Sequence, residues 1–352
     1  MRITPFDAWI AAAVGQPGQA ADPDRLEDWR LAALGRAVAH ARTAPFYRDR
    51  LAHLPPGFPG GLADFALLPT TTPADLADAF PRFLTVSQDA VARMVTVATS
   101  GTTGAPKRMA LTDADIEETL DCFRVVMAVT LNPGETVLIL FPAAKPDSVG
   151  DLIGRGMKRL GTVPVFGDPT GNPARLAEAL AAHRPQSLIA APSQLSAALD
   201  DPAACQAARA CLRSVVYASD FLSPMLREKT AACFGCRVFD YYSATEMAYG
   251  GGMECLAGGG YHLREAQLYF EVLDPLGDAP VAAGEVGEVA FTTLTPRGLP
   301  LLRYRTGDAA RMLPGPCPCG SRLRRLGPIL GRIERTEAGW TVGNPDKGRS
   351  AS

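Results

Sequence analysis

The sequence has little net charge, few aromatic residues and no long apolar run. Its 35 Lys and Arg stand against 37 Asp and Glu, which leaves a net charge of −2. No basic field therefore points to nucleic acid or to an anionic membrane surface. No apolar stretch reaches the ~18 residues that a membrane-spanning helix requires. The opening segment, Met1 to Trp9, is interrupted by Pro5 and Asp7 and does not read as a secretion signal. The expectation is a cytoplasmic chain that binds neither nucleic acid nor membrane. There is no internal repeat and no G-x-x-x-x-G-K-[ST] phosphate loop. What is present is a chain of 352 residues with 47% hydrophobic content, enough for one large core or two smaller ones. Its 8 cysteines read as thiols or metal ligands before disulfides.

Helical periodicity marks residues 24–43, with Asp22 as cap, and Thr72 before Pro73 opens a short helix. Thr112 caps a helix over 113–131. Apolar strands at 137–141, 163–166, 187–191 and 214–218 then alternate with helices near 149–160, 173–183 and 193–200. That alternation predicts an α/β fold with a mainly parallel, doubly wound sheet up to about residue 260. After it, 269–273 and 287–292 read as strands of a more antiparallel region, joined by a turn at Asp274 to Asp278. The tail from Glu337 onward reads as disordered.

The most informative stretch is Thr99-Ser100-Gly101-Thr102-Thr103-Gly104-Ala105-Pro106-Lys107. It follows Met94-Val95-Thr96-Val97-Ala98, which reads as a buried strand. Glycines allow successive backbone N–H groups to form a nest for phosphate oxygens, hydroxyls add donors, and Lys107 adds a charge. Three further motifs follow in order. They are Tyr242-Ser243-Ala244-Thr245-Glu246, Tyr304-Arg305-Thr306-Gly307-Asp308 and Gly331-Arg332-Ile333-Glu334.

Together these four motifs resemble those of the acyl-adenylate-forming, or AMP-binding, enzymes, across most of the chain. Ala44-Pro45-Phe46-Tyr47-Arg48, Thr170 to Leu176, Ala191 to Leu195, Phe234-Gly235-Cys236 and Met253-Glu254-Cys255 resemble the phenylacetate-CoA ligase group. The resemblance implies the large N-terminal domain of that superfamily over residues 1–330. Its fold would be doubly wound mixed sheets flanked by helices to about 260, then a distorted β-barrel subdomain over about 261–330. Residues 331–352 would be a hinge remnant and tail. The implied activity is adenylation of a carboxylic acid by ATP and Mg²⁺, followed in full-length relatives by transfer to CoA or to a carrier-protein thiol.

The resemblance also assigns roles. Thr99, Ser100, Gly101, Thr102, Thr103, Gly104 and Lys107 would hold the phosphates, and Glu246 would hold Mg²⁺. Thr245 would donate to the α-phosphate and Tyr242 would stack on adenine, with Ser243 beside it. Lys107, Thr245 and Glu246 are thus the catalytic candidates. Asp308 would accept from the ribose hydroxyls, and Arg305 and Arg332 would orient it or reach ribose or phosphate. Ser219 and Asp220 stand beside the adenine where the family tends to have Gly and Glu, and Ser243 stands where it has Gly. Glu265-Ala266-Gln267 replaces the branch's Glu-Asp-His, and Phe141 to Asp147 lacks the glycine-rich pattern of its acyl pocket. Aryl acids lead as substrates by resemblance alone.

Cys317-Pro318-Cys319-Gly320 suits a metal knuckle, and Cys255 and His262 complete a candidate zinc set. A competing pair is Cys233 with Cys236, while Cys122, Cys205 and Cys211 read as ordinary thiols. The resemblance implies a small lysine-bearing C-terminal domain after the hinge, and with Ser352 so soon after Gly331 the expectation is a chain without it. Three readings follow: an enzyme built on the large domain alone, working slowly or with a separate partner that supplies the lysine, a non-catalytic ATP- or acyl-adenylate-binding protein, or a truncated ligase.

Overall fold

The structure is a computed structural model that describes residues 3–18, 22–97 and 106–343. The N-terminal part holds α1 (Pro5–Ala13), α2 (Pro23–Ala41), α3 (Pro45–Arg50), α4 (Leu62–Phe65) and α5 (Pro73–Ala79), then strands β1 (Arg93–Val97) and β2 (Lys107–Leu111). The central part runs α6 (Asp113–Met127), β3 (Thr136–Ile139), α7 (Val149–Leu160), β4 (Val163–Phe166), α8 (Pro173–His183), β5 (Ser187–Ala190) and α9 (Pro192–Leu195). It continues through α10 (Pro202–Arg209), β6 (Ser214–Ala218), α11 (Pro224–Phe234), β7 (Arg237–Tyr242), β8 (Gly252–Glu254) and β9 (Tyr261–Leu263). The last part is all strand: β10 (Leu268–Leu273), β11 (Gly287–Thr293), β12 (Tyr304–Ala310), β13 (Met312–Leu313), β14 (Arg325–Leu326), β15 (Gly331–Thr336) and β16 (Gly339–Gly343). None of the described helices is long and apolar enough to cross a membrane.

Helix starts are set locally. Eight of the eleven described α-helices open on proline, whose fixed φ suits the first turn and whose missing N–H costs nothing there. Thr72 and Asp75 form a capping box on α5, and Thr112 and Asp115 exchange the same bonds at the start of α6. Asp22 caps α2 and Asn172 caps α8 through side-chain oxygens.

The chain divides into two compact units. One comprises Met1–Asp115, Thr245–Ala248 and His262–Ser352, and the other Ile116–Ala244 and Tyr249–Tyr261. In the second unit, β4, β3, β5, β6 and β7 lie side by side and parallel, with β8 antiparallel beside β7. The doubly wound order expected from sequence is present: β3 lies between β4 and β5, so the chain reverses direction of winding after β4. Leu138, Leu188, Val215, Tyr217 and Phe234 are among the side chains that fill the core on one side of this sheet. In the first unit, β10, β11, β12, β15 and β16 form an antiparallel sheet, and β1 and β2 form a separate ribbon.

Four expectations are corrected. The stretch before the glycine-rich loop is no buried strand, since residues 93–96 of β1 alternate between half-buried and exposed and Met94 is 48% exposed. Its apolar residues sit on a two-stranded ribbon whose buried side chains come from β2, at Met109, Ala110 and Leu111. The predicted helix over 193–200 is broken into α9 and a 3₁₀ turn at Ala198–Asp200. Residues 339–343 of the tail form β16, which pairs with β15 from Arg332↔Gly343 to Thr336↔Gly339, and the rest of the tail lies outside the described residues. Lastly, Cys233 is not half of a metal pair with Cys236. It forms a disulfide with Cys205, with the two Cα atoms 5.5 Å apart, joining α11 to α10.

Candidate active site

Residues 98–105 lie outside the described residues, so Thr99, Ser100, Gly101, Thr102, Thr103 and Gly104 are not placed. The frame of their loop is placed. Val97 on β1 pairs with Lys107 on β2 in an antiparallel ribbon, and Lys107 is the first residue of β2.

Thr245 and Glu246 sit on a 3₁₀ turn, Thr245–Met247. The carbonyl of Met247 accepts from Nη1 of the fully buried Arg264 at 3.4 Å, which ties the turn to the strand-rich part of the same unit. Glu246 is buried, and its Oε1 accepts from Lys107 Nζ in a short ion pair. The same Oε1 accepts from Tyr304 Oη at 3.0 Å. Tyr304 opens β12 and is 1% exposed. Burial, then the Glu246 carboxylate, push its phenol well above the usual tyrosine range, so it stays a donor. Motif matching names Tyr304 but gives it no task, because its partner is distant in sequence.

Asp308 and Arg332 pair in register between β12 and β15. Arg332 Nη1 donates to Asp308 Oδ1 at 2.5 Å, on a half-exposed rim. Arg305, by contrast, is turned into the protein. Its guanidinium meets Glu288 at 2.5 Å, Asp278 at 3.0 Å, Thr70 Oγ1 at 3.2 Å and the carbonyl of Gly277. A guanidinium so occupied braces β12 against β11 and the turn after β10. Glu288 also receives Arg335 and the N–H of Gly307 at 3.0 Å.

In the second unit, β6 and β7 pair as far as Ala218↔Tyr241, so Ser219 and Asp220 follow one strand and Tyr242 and Ser243 end the other. Ser219 holds φ at 79°, in the left-handed region. Asp220 Oδ1 accepts from the N–H of Phe221 at 2.7 Å. The Tyr242 ring is buried 5.7 Å from that of Tyr261. Beneath them Asp240 is driven up to about 7 by burial, with Tyr261 donating to its Oδ2 at 2.5 Å, and Glu254 and Arg227 close by.

The strand-rich unit gathers three of the four expected zinc ligands. His262, Cys317 and Cys319 are buried, with their ligand atoms within 4.8 Å of one another and Cys319 Sγ 3.6 Å from His262 Nε2. His262 Nδ1 has no hydrogen-bond partner among the described residues. Burial, and then Arg325, hold its pKa down to about 4, which keeps the imidazole neutral as a ligand must be. Cys317 Sγ accepts the N–H of Cys319 at 3.5 Å, and in the second unit buried Cys255 Sγ accepts the N–H of Ala257 at 3.4 Å.

Comparison with known proteins bears directly on these motifs. The model of the family described as AMP-binding enzyme matches residues 77–294. The phenylacetate-coenzyme A ligase of Escherichia coli K12 is 30% identical over 331 residues, 90% of this chain and 74% of that protein. The chain belongs to the AMP-binding enzyme family. Within it, the chain falls in the phenylacetate-CoA-ligase-like branch of AMP-forming acid ligases. The phenylacetate-coenzyme A ligase of Thermus thermophilus is 31% identical over 86% of this chain and 69% of its own length. The fold is that of 2-hydroxyisobutyryl-CoA ligase crystallised with 2-HIB-AMP and CoA. The two match with a TM-score of 0.77 at 21% identity, over 91% of this chain and 78% of that one. This AMP-binding chain therefore has the large α/β domain that its motifs imply.

Proposed function

We propose that this protein activates a carboxylic acid as its acyl-adenylate, with ATP and Mg²⁺, and passes the acyl group to a thiol of CoA or of a carrier protein. The observation that carries the reading is Lys107, at the start of β2, set against the buried carboxylate of Glu246. A carboxylate already paired to a cation suits a divalent ion, and an ammonium so released suits a phosphate. When bound, Mg²⁺ would be held by Glu246 and would neutralise phosphate charge.

The protein's own groups do the rest by position and charge. Lys107 and the loop residues 99–104 grip the β- and γ-phosphates and escort pyrophosphate out. Thr245 donates its hydroxyl to the α-phosphate. Asp308, steadied by Arg332, accepts the ribose hydroxyls. Tyr242 presents an aromatic face to adenine, with Ser243, Ser219 and Asp220 around its edge. The acid is proposed to be an aryl or short acyl acid, on the strength of the branch. His262, Cys317 and Cys319, with Cys255 seven residues before His262 in the chain, are proposed as a structural zinc site.

The test is carboxylate-dependent ATP–pyrophosphate exchange over a panel of aryl and short acyl acids, with Glu246→Gln as control. Exchange above the control identifies the acid class. Its absence for every acid, with ATP still bound, would replace adenylation by nucleotide binding alone.

A further inference from the structure

Glu246 receives two donors of different kinds on one oxygen. Among the described residues, both Tyr304 Oη and Lys107 Nζ fall on Oε1. The tyrosine is fixed. Its backbone bridges Thr71 on one side and pairs with Phe291 on the other, and its ring lies 5.5 Å from that of Phe291. Two rotatable bonds in a packed ring leave little freedom to lose. The lysine is the replaceable partner. It is the first residue of β2, and its long stem can carry the ammonium elsewhere. A neutral hydroxyl adds no charge that would repel an arriving cation, whereas the ammonium does.

We propose that Tyr304 is a positioning residue for the metal-binding carboxylate: its hydroxyl holds Oε1 of Glu246, so that Lys107 can leave for phosphate without the carboxylate turning. The inference rests on the adenylation reading above. Lys107 is then a place-holding cation in the nucleotide-free protein, and Tyr304 the fixed contact that outlasts it. Arg264, bonded to the carbonyl next along the turn, fixes the backbone in the same way that Tyr304 fixes the side chain.

The experiment uses Tyr304→Phe in the full chain, with ATP affinity measured by calorimetry in Mg²⁺ and in EDTA. Phenylalanine keeps the ring packing and removes only the donor. The gain in ATP affinity that Mg²⁺ provides should fall about tenfold, because a hydrogen bond to a charged group is lost, while affinity in EDTA stays unchanged. In a Glu246→Gln background Tyr304→Phe should have no further effect on that gain. An equal Mg²⁺ gain in parent and variant overturns this inference alone. Failure of the parent to bind ATP in either condition overturns the adenylation reading and this inference with it. If the variant does not fold, 3-fluorotyrosine at position 304 gives a second reading. Its ¹⁹F resonance should shift on adding Mg²⁺ with ATP, and should not shift in Glu246→Gln. A resonance unmoved in the parent overturns the proposal.

Discussion

Asp308 on β12 and Arg332 on β15 are register partners, and the arginine donates Nη1 to the aspartate Oδ1 at 2.5 Å. Gly307 makes this approach possible. Its φ is 80°, and a Cβ there would lie 2.7 Å from Arg332 Nη2. The sequence pattern Tyr-Arg-Thr-Gly-Asp thus builds a carboxylate held in one orientation at the rim of the antiparallel sheet. On the proposed reading, replacing Asp308 by Ala removes the acceptor for the two ribose hydroxyls. ATP binding should fall about a hundredfold or more, at about 1.5–3 kcal/mol for each charge-assisted bond. Equal ATP affinity in Asp308→Ala and parent, by calorimetry, would remove the ribose assignment.

A second arginine, immediately before β12, serves stability. Arg303 is fully buried at φ 45°. It forks onto Glu271 at 3.1 and 3.0 Å and donates to the carbonyls of Ala66, Leu68 and Asp278, each at 2.6 Å. Arg303→Met leaves the Glu271 carboxylate buried without its partner, and three carbonyls lose a donor. The expected cost is about 3–5 kcal/mol by denaturant unfolding. A loss under about 1 kcal/mol would show that the network is not coupled to folding.

These two arginines show what the sequence makes legible and what it hides. Helix starts are legible because their causes are local: Thr72 with Asp75, Thr112 with Asp115, and proline at the first turn. The motif residues are legible as types in order, and so Lys107 and Glu246 can be named before they are seen to meet across 139 positions. The role of Arg305 is hidden, because its partners Glu288 and Asp278 are chosen by the pairing of β11 with β12 and by the turn after β10. The exposure of Met94 is hidden for the same reason, since an apolar pentapeptide does not say whether a second layer will cover it. The Cys205–Cys233 bridge depends on α10 and α11 lying side by side, which no local signal encodes.

Ser219 carries the strain of a position where the family tends to have glycine. A serine at φ 79° has its Cβ crowded against its own backbone. Ser219→Gly should raise stability by up to about 1 kcal/mol, the left-handed penalty less the added freedom of glycine in the unfolded chain. Thermal unfolding of the two proteins side by side gives the sign. A lower midpoint for the glycine variant would mean that the serine side chain contributes more than its backbone costs.

The cysteine and histidine cluster predicts a metal content. Elemental analysis of protein prepared without added metal should find about one zinc per chain. Cys317→Ser should lose it and melt at lower temperature, and a chelator should lower the parent's melting temperature towards that of the variant. Protein with no zinc, and no change in melting when zinc is added, would return these residues to the core as buried thiols and a neutral imidazole.

Asp240 predicts how stability depends on pH. Burial first, and then the nearby Glu254, raise its carboxyl from 3.8 to about 7 in the folded protein, against the opposing pull of Tyr261 and Arg227. Between about pH 4 and pH 7 the folded state therefore holds a proton that the unfolded state has released. This contribution to stability is full below pH 4, and falls by roughly 1.4 kcal/mol per pH unit through that window. Above pH 7 the loss is complete and constant. Asn at this position keeps the shape and accepts the Tyr261 hydroxyl without a charge to desolvate. Asp240→Asn should thus melt higher than the parent at pH 8, and the difference should shrink steadily towards pH 5. A difference that stays flat across this range would place the ionisation of Asp240 outside it.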